Sequence, residues 1–320
     1  MTKPSPFLEG TNIQLIWDST SLGWLKTCPR LYQYQMIEQR VSRGENVHLR
    51  FGIHYHAGLE YYDHLKVQGH THESALEMVV DKILLDTWDR PDGEPDGHPW
   101  EGESPKTRET LLRSIIWYLD QFGDNDPAQT ITLANGRPAV ELTFRLPLDW
   151  GPQSLHDWGT VPEGTEMFYS LSGHLDRLVT FLGDTYVMDR KTTEKTLSPN
   201  YFSGYEPDNQ MSLYTLAAKS IFDVPVKGVI IDAAQTAVGF TRFERGMTFR
   251  NDAQLDEWLL DLANWLDAAE GYAVANYWPM NDKSCKFCAF RRVCSRDPAV
   301  RPSLLESDFE QRFWNPADKR

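Results

Sequence analysis

The sequence predicts an α/β fold, a small twisted sheet with helices packed around it, and three observations carry that prediction. Residues 139–148 alternate: Val140, Leu142, Phe144 and Leu146 fall on one side, Glu141, Thr143 and Arg145 on the other, the period of a half-buried strand. Two apolar runs, Leu175–Leu182 and Tyr186–Met188, flank Gly183-Asp184, and Gly-Asp between β-rich runs signals a hairpin. Helical stripes occur on either side, Phe51, Tyr55, Leu59 and Tyr62 before the hairpin and Met211, Tyr214, Ala218 and Ile221 after it.

The remaining elements follow in order. Ile13–Trp17 reads as a strand, and Asp18-Ser19-Thr20-Ser21 offers caps for a helix that breaks near Cys28-Pro29, because proline lacks the interior N–H. Ser74–Trp88 and Thr107–Phe122 have helical periodicity, separated by Arg90–Lys106, rich in Pro, Gly and acids and expected to be an exposed loop. Asp149–Gly164 is expected to be a loop, with Met167–Leu171 extending the second strand backwards. Pro199–Pro207 reads as a long aromatic loop, open to stacking on bases or to packing on the helical lobe. A helix at Gln210–Phe222, a strand pair at Gly228–Gln235 and Gly239–Arg245, and a helix at Asp256–Tyr277 complete the pattern.

The chain has 320 residues, 41% hydrophobic and 12% aromatic, enough for one large domain or two small ones. No apolar run approaches the ~20 residues that span a bilayer, and Met1–Pro6 has no apolar leader region, so a soluble, cytoplasmic protein without membrane contact is expected. A net charge of −14 argues against nucleic-acid binding by the whole surface, but the charge is uneven. Asp81–Glu109 is acidic, whereas Lys26–Arg50 and Lys283–Arg301 are basic, and the two basic segments also hold all four cysteines. A local basic face of this kind suits salt-sensitive DNA binding.

The hairpin carries the chemistry. Asp189 and Lys191 are two apart and share a strand face, and Asp176 reaches them if the hairpin pairs in register. Two adjacent carboxylates repel when ionised, and a hard divalent cation such as Mg²⁺ or Mn²⁺ relieves this. The same residues also suit a solvated surface hairpin.

Gly173-x-x-Asp176 followed by Asp189-x-Lys191 resembles the core motif of the PD-(D/E)xK nuclease superfamily, and more narrowly its RecB-like, CRISPR-adaptation-type iron–sulfur exonuclease branch. The resemblance runs from about Asp18 to Asp297, the acidic helical insertion excepted. It implies a restriction-endonuclease-like α/β core, a central mixed sheet flanked by helices, with a helical insertion and a C-terminal cysteine cluster. The implied organisation is one nuclease domain over 1–320, with an insertion at 66–135, a catalytic core sheet and helix at 139–250, and a four-cysteine clasp joining 18–50 to 278–300.

It further implies a metal-dependent DNA exonuclease using Mg²⁺ or Mn²⁺. Asp176 and Asp189 would be metal ligands and Lys191 would be catalytic. His56, from Gly52-x-x-x-His56, the Arg190 carbonyl and Glu141 on the first core strand would join the metal. By spacing alone His54 is the alternative to His56, and Glu60 could accept the second ring N–H. Gln210-x-x-x-Tyr214 matches the helix after the core and would contact substrate or order the site.

Cys28-Pro29-Arg30-Leu31-Tyr32 and Cys285-x-x-Cys288-x5-Cys294 resemble the cysteine clasp of the iron–sulfur members, implying a [4Fe-4S] cluster, with zinc as the alternative. The implied partners are DNA and proteins of repair, recombination, CRISPR or phage systems. A catalytically inactive DNA- or protein-binding module of the same fold is the alternative function.

Overall fold

The computed structural model describes residues 5–44, 46–90, 96–153, 167–221 and 225–318. In chain order its main elements are β1 (Ile16–Trp17), α1 (Ser19–Thr27), α2 (Val47–Val67), α3 (His72–Asp86), α4 (Arg108–Phe122), β2 (Gln129–Thr130), β3 (Val140–Pro147), β4 (Ser170–Phe181), β5 (Asp184–Thr193), α5 (Asn209–Ile221), β6 (Val226–Thr236), β7 (Thr241–Thr248) and α6 (Asp252–Val274). The loop expected at 149–164 lies largely outside the described residues. The chain divides into two compact units: Met1–Gly44, Thr143–Gly173 and Asn251–Arg320 form the first, and Glu45–Leu142 with His174–Arg250 the second.

The second unit holds most of a mixed sheet. Its strand order is β4-β5-β6-β7, with β5 and β6 parallel and the flanking pairs antiparallel; β2 and β3 also pair with β4. Helices α2, α3 and α4 bury one common core, in which Phe51, Tyr55, Leu59 and Tyr62 meet Val79, Ile83, Leu111 and Ile115. The stripe seen in the sequence is therefore a packing face. Gly58 lets the helices approach: a Cβ there would meet Ile115 at 3.0 Å and Ile83 at 3.2 Å.

Three expectations need correction. The hairpin turn is Leu182-Gly183, because Phe181 pairs with Asp184 and both central residues have positive φ, +51° and +87°. A two-residue turn of that hand matches strand twist and wants glycine at one or both centres. Arg90–Lys106 is not simply an exposed loop. Among its described residues are two short ribbons, Trp100 is 5% exposed within the helical core, and Lys106 is 2% exposed with its ammonium 4.2 Å above the Phe51 ring. Burial pushes that lysine down to about 8. The aromatic segment contains a helix, Pro199–Ser203, and is docked on the sheet: a Cβ at Gly246 would lie 2.2 Å from the Phe202 ring.

In the first unit, β1 pairs in parallel with the start of β4, Ile16 against Ser170. Asp18 caps α1, accepting from the Ser21 N–H at 2.7 Å. The helix stops at Cys28, whose extended backbone lets Pro29 open a new turn at its first position, where the missing N–H costs nothing. Tyr32 is fully buried between Trp17 and Trp278 and donates to Gln14. A second small core, Tyr34, Phe290, Val293, Leu305 and Phe309, packs against Cys288 and Cys294. Among the described residues no helix is long and apolar enough to cross a membrane.

Candidate active site

Strand alternation sends Asp189 and Lys191 to one face of β5 and Arg190 to the other. The β4–β5 ladder runs from Asp184 opposite Phe181 to Met188 opposite Arg177, one residue short of Asp189 and Asp176. There the pairing changes character: the Arg190 N–H donates to the Asp176 Oδ2 at 2.8 Å. A side-chain carboxylate thus takes a backbone donor, which fixes Asp176 where the two strands part.

Two more residues converge on it. His56 from α2 has its Nδ1 3.4 Å from Asp176 Oδ2. Glu141 comes from the start of β3, in the left-handed region at φ +47°, an uncommon and costly conformation for a non-glycine residue. Ligand atoms of His56, Glu141 and Asp176 lie within 4.8 Å of one another. Lys191 Nζ stands 2.8 Å from Asp189 Oδ2 and donates to Gln210 Oε1 at 2.7 Å; Gln210 Nε2 donates to the Tyr214 hydroxyl at 3.0 Å. The four-residue spacing of Gln210 and Tyr214 on α5 sets that relay. The structure separates the two histidines: His54 lies against the Trp100 ring, 6.3 Å between centroids, while His56 faces the carboxylates. Glu60 faces His64, at 3.6 Å.

The electrostatics are uneven. Burial resists ionising Asp176, but the nearby His56 charge, then Lys191 and the Arg190 N–H, outweigh it and hold the carboxyl below its ordinary range. At Asp189 burial wins over the Lys191 ammonium, and with the Asp176 charge it pushes the carboxyl up to about 6. Burial works against the His56 imidazolium, yet Asp176 holds its pKa above the usual value. Lys191 is held up by Asp189 and Asp176 against the same burial. His56 and Lys191 keep 25% and 26% of their side chains exposed, so the cluster is open to solvent.

Two buried atoms have no aligned hydrogen bond: His56 Nδ1, and Asp189 Oδ2 despite its closeness to Lys191. An imidazole nitrogen and a carboxylate oxygen without aligned partners, beside the Asp176 and Glu141 carboxylates, fit a divalent cation.

The other face of β5 was not legible in the sequence. Arg177, Arg190, Asp232 and Arg245 share it through the strand registers. Arg190 Nη2 donates to Asp63 at 2.8 Å, Arg245 Nη2 to Asp126 at 2.9 Å and Arg245 Nε to Asp232 at 3.1 Å, and the Tyr118 hydroxyl donates to Asp232. One signal was present: Asp63 lies seven residues after His56, two turns along the same helix face.

In the first unit Cys28, Cys285, Cys288 and Cys294 line one small cavity. The Asn281 N–H donates to Cys28 Sγ at 3.2 Å. All four are free thiols, and burial pushes those of Cys288 and Cys294 up.

The solved structures that resemble the chain include two that are each covered over most of their length. One is a provisionally assigned exonuclease from Eubacterium rectale, 10% identical, with 88% of this chain and 89% of that one covered at a TM-score of 0.46. The other is the protein SSO0001, 12% identical, with 88% and 86% covered at 0.35. No curated protein sequence matches. Residues 19–295 match the profile of the PD-(D/E)XK nuclease superfamily, and the chain belongs to that superfamily.

Proposed function

We propose that the chain is a divalent-metal-dependent deoxyribonuclease that hydrolyses phosphodiester bonds, acting as an exonuclease. The observation that carries the reading is the convergence of His56, Glu141 and Asp176 beside the Asp189–Lys191 pair, with buried ligand atoms without aligned partners. His56, Asp176, Asp189 and Glu141, with the Arg190 carbonyl, would hold the cation. When bound, it polarises the phosphoryl oxygen and acidifies the attacking water. Lys191 meets the negative charge that builds on the phosphorane-like transition state, and its raised pKa keeps it protonated. Gln210 positions that ammonium by accepting from it, and Tyr214 accepts from the Gln210 amide and fixes its rotation.

The four cysteines would hold a structural [4Fe-4S] cluster. Their sharing of one small cavity supports a common metal group, and the likeness of their pattern to the iron–sulfur clasp favours the cluster over a single zinc.

End-labelled single- and double-stranded DNA incubated with Mn²⁺, Mg²⁺ or EDTA tests the enzyme. Terminal nucleotides should be released only with metal, and intact DNA under every condition overturns the reading. Iron and sulfide analysis of protein purified without oxygen tests the cluster, with zinc and no iron as the contrary result.

A further inference from the structure

Residues 30–40 and 298–301, parts of the two basic segments that lie in the first unit, meet at a cleft that the nuclease site does not use. Arg30, Arg40 and Arg301 line a cavity of about 330 Å³, with Tyr277 at its edge. That volume lies at the lower end of small-ligand pockets. Three guanidiniums in one cleft are notable on a chain of net charge −14. Glu38 and Glu306 share the lining, so one net positive charge remains.

The donors are only partly used. Arg30 donates its Nε–H to the Trp278 carbonyl at 3.2 Å, and Arg301 donates to the carbonyls of Arg296 and Cys294. These bonds hold the two side chains in place and leave each further N–H groups, since a guanidinium carries five. Arg40 Nε is buried without a hydrogen-bond partner. A buried charged donor of this kind is costly unless something accepts from it. Tyr277 is 62% exposed, and the Arg30 guanidinium lies 6.0 Å from its ring centroid. A planar donor fork beside a solvent-facing ring offers phosphate recognition and base stacking together.

We infer that this cleft binds a nucleotide, its phosphate on Arg30, Arg40 and Arg301 and its base on the Tyr277 ring. The nucleotide comes from a single-stranded segment of the DNA substrate or from a free mononucleotide; the first source rests on the nuclease reading.

The test measures binding of a labelled oligothymidylate to the full-length protein without added divalent metal, over a range of salt, with thymidine monophosphate as competitor. Arg40→Gln and Tyr277→Ala should each weaken binding about tenfold. Arg40→Gln should also lower the slope of log affinity against log salt by ~0.7, one single-strand phosphate contact. Tyr277→Ala should leave the slope alone, and Tyr277→Phe should bind like the parent. Competition by the mononucleotide that disappears in Arg40→Gln assigns the free nucleotide; its failure to compete assigns the strand.

Tyr277 is exposed enough for both its variants to fold, so equal binding by Tyr277→Ala and Tyr277→Phe, with Arg40→Gln keeping the parent slope, overturns the inference. Cleavage of the same oligonucleotide with Mn²⁺ is scored in parallel. A parent that cleaves while all variants bind alike loses only this site. A parent that binds through Arg40 and Tyr277 but never cleaves loses only the nuclease reading.

Discussion

The two faces of β5 both bury charge, and they treat it differently. On the Arg190 face, three carboxylates, Asp63, Asp126 and Asp232, meet three guanidiniums, Arg177, Arg190 and Arg245. Apart from Arg190 Nε, none of their buried atoms among the described residues goes without a hydrogen-bond partner. On the Asp189 face, Asp176, Asp189 and Glu141 outnumber Lys191 and His56, one carboxyl is pushed up to about 6, and buried atoms of His56 and Asp189 have no aligned donor or acceptor. Charge that is matched inside the protein serves the fold, whereas charge left unmatched in a solvent-reachable cluster marks the place for something brought from outside.

The largest expected effect breaks this comparison at its reactive face. Asp189→Ala should remove cleavage, a loss of at least about a thousandfold in a matched assay, while urea unfolding shows no loss of stability. Undiminished cleavage would end the metal-site assignment. The mirror experiment is Arg190→Met. It leaves Asp63 buried without its closest cation and should cost about 3–5 kcal/mol in denaturant unfolding. If Arg190→Met were as stable as the parent, the contrast between the faces would be wrong.

Lys191→Ala sharpens the comparison within the reactive face. The rate should fall about 100-fold to 1,000-fold, with Mn²⁺ affinity by calorimetry retained, because Lys191 acts on charge that appears during reaction. Loss of metal binding in parallel would make it a structural counter-ion instead.

The smallest effect is on stability against pH. The folded Asp189 carboxyl, raised chiefly by burial to about 6 from an ordinary 3.8, holds its proton more tightly than the unfolded chain does. Its contribution is complete below about pH 4 and is lost as pH rises to about 6, at about 1.4 kcal/mol per unit of displacement. Asp176 is displaced in the opposite direction, so the difference between parent and Asp189→Asn carries the sign. In metal-free urea unfolding, the variant should lack that decline. Parallel curves for the two proteins would show that Asp189 is not raised.

The sequence made some of this legible and hid the rest for physical reasons. Strand alternation and a two-residue offset were enough to put Asp189 and Lys191 together, because the period of two leaves little choice. Helical spacing did the same for Gln210 and Tyr214. The Asp63–Arg190 and Asp126–Arg245 pairs could not be read, since their partners come from separate elements and only the sheet registers and the packed helices join them. The alternation at 139–148 gave Glu141 a face but not its left-handed backbone. Composition misled at Trp100 and Lys106, where an acidic, Pro- and Gly-rich segment averages over two residues that go inside. The turn was displaced by one residue because Leu182, 85% exposed, was counted with the apolar run.

That turn has a consequence for fidelity of folding. Since side chains alternate, a slip of one residue between β4 and β5 exchanges the faces of a whole strand. Arg190 would then point at the reactive cluster, and Asp189 would enter the guanidinium network. Gly183 lies six residues from Asp189, outside any contact with the chemistry, yet with Leu182 it decides which residue of β5 stands opposite which residue of β4. A β-branched residue at position 183, where φ is +87°, would strain the tight turn and favour a longer one. The product would be a misregistered chain with the same composition and the same strands, selected against at the moment the hairpin closes rather than in the finished enzyme.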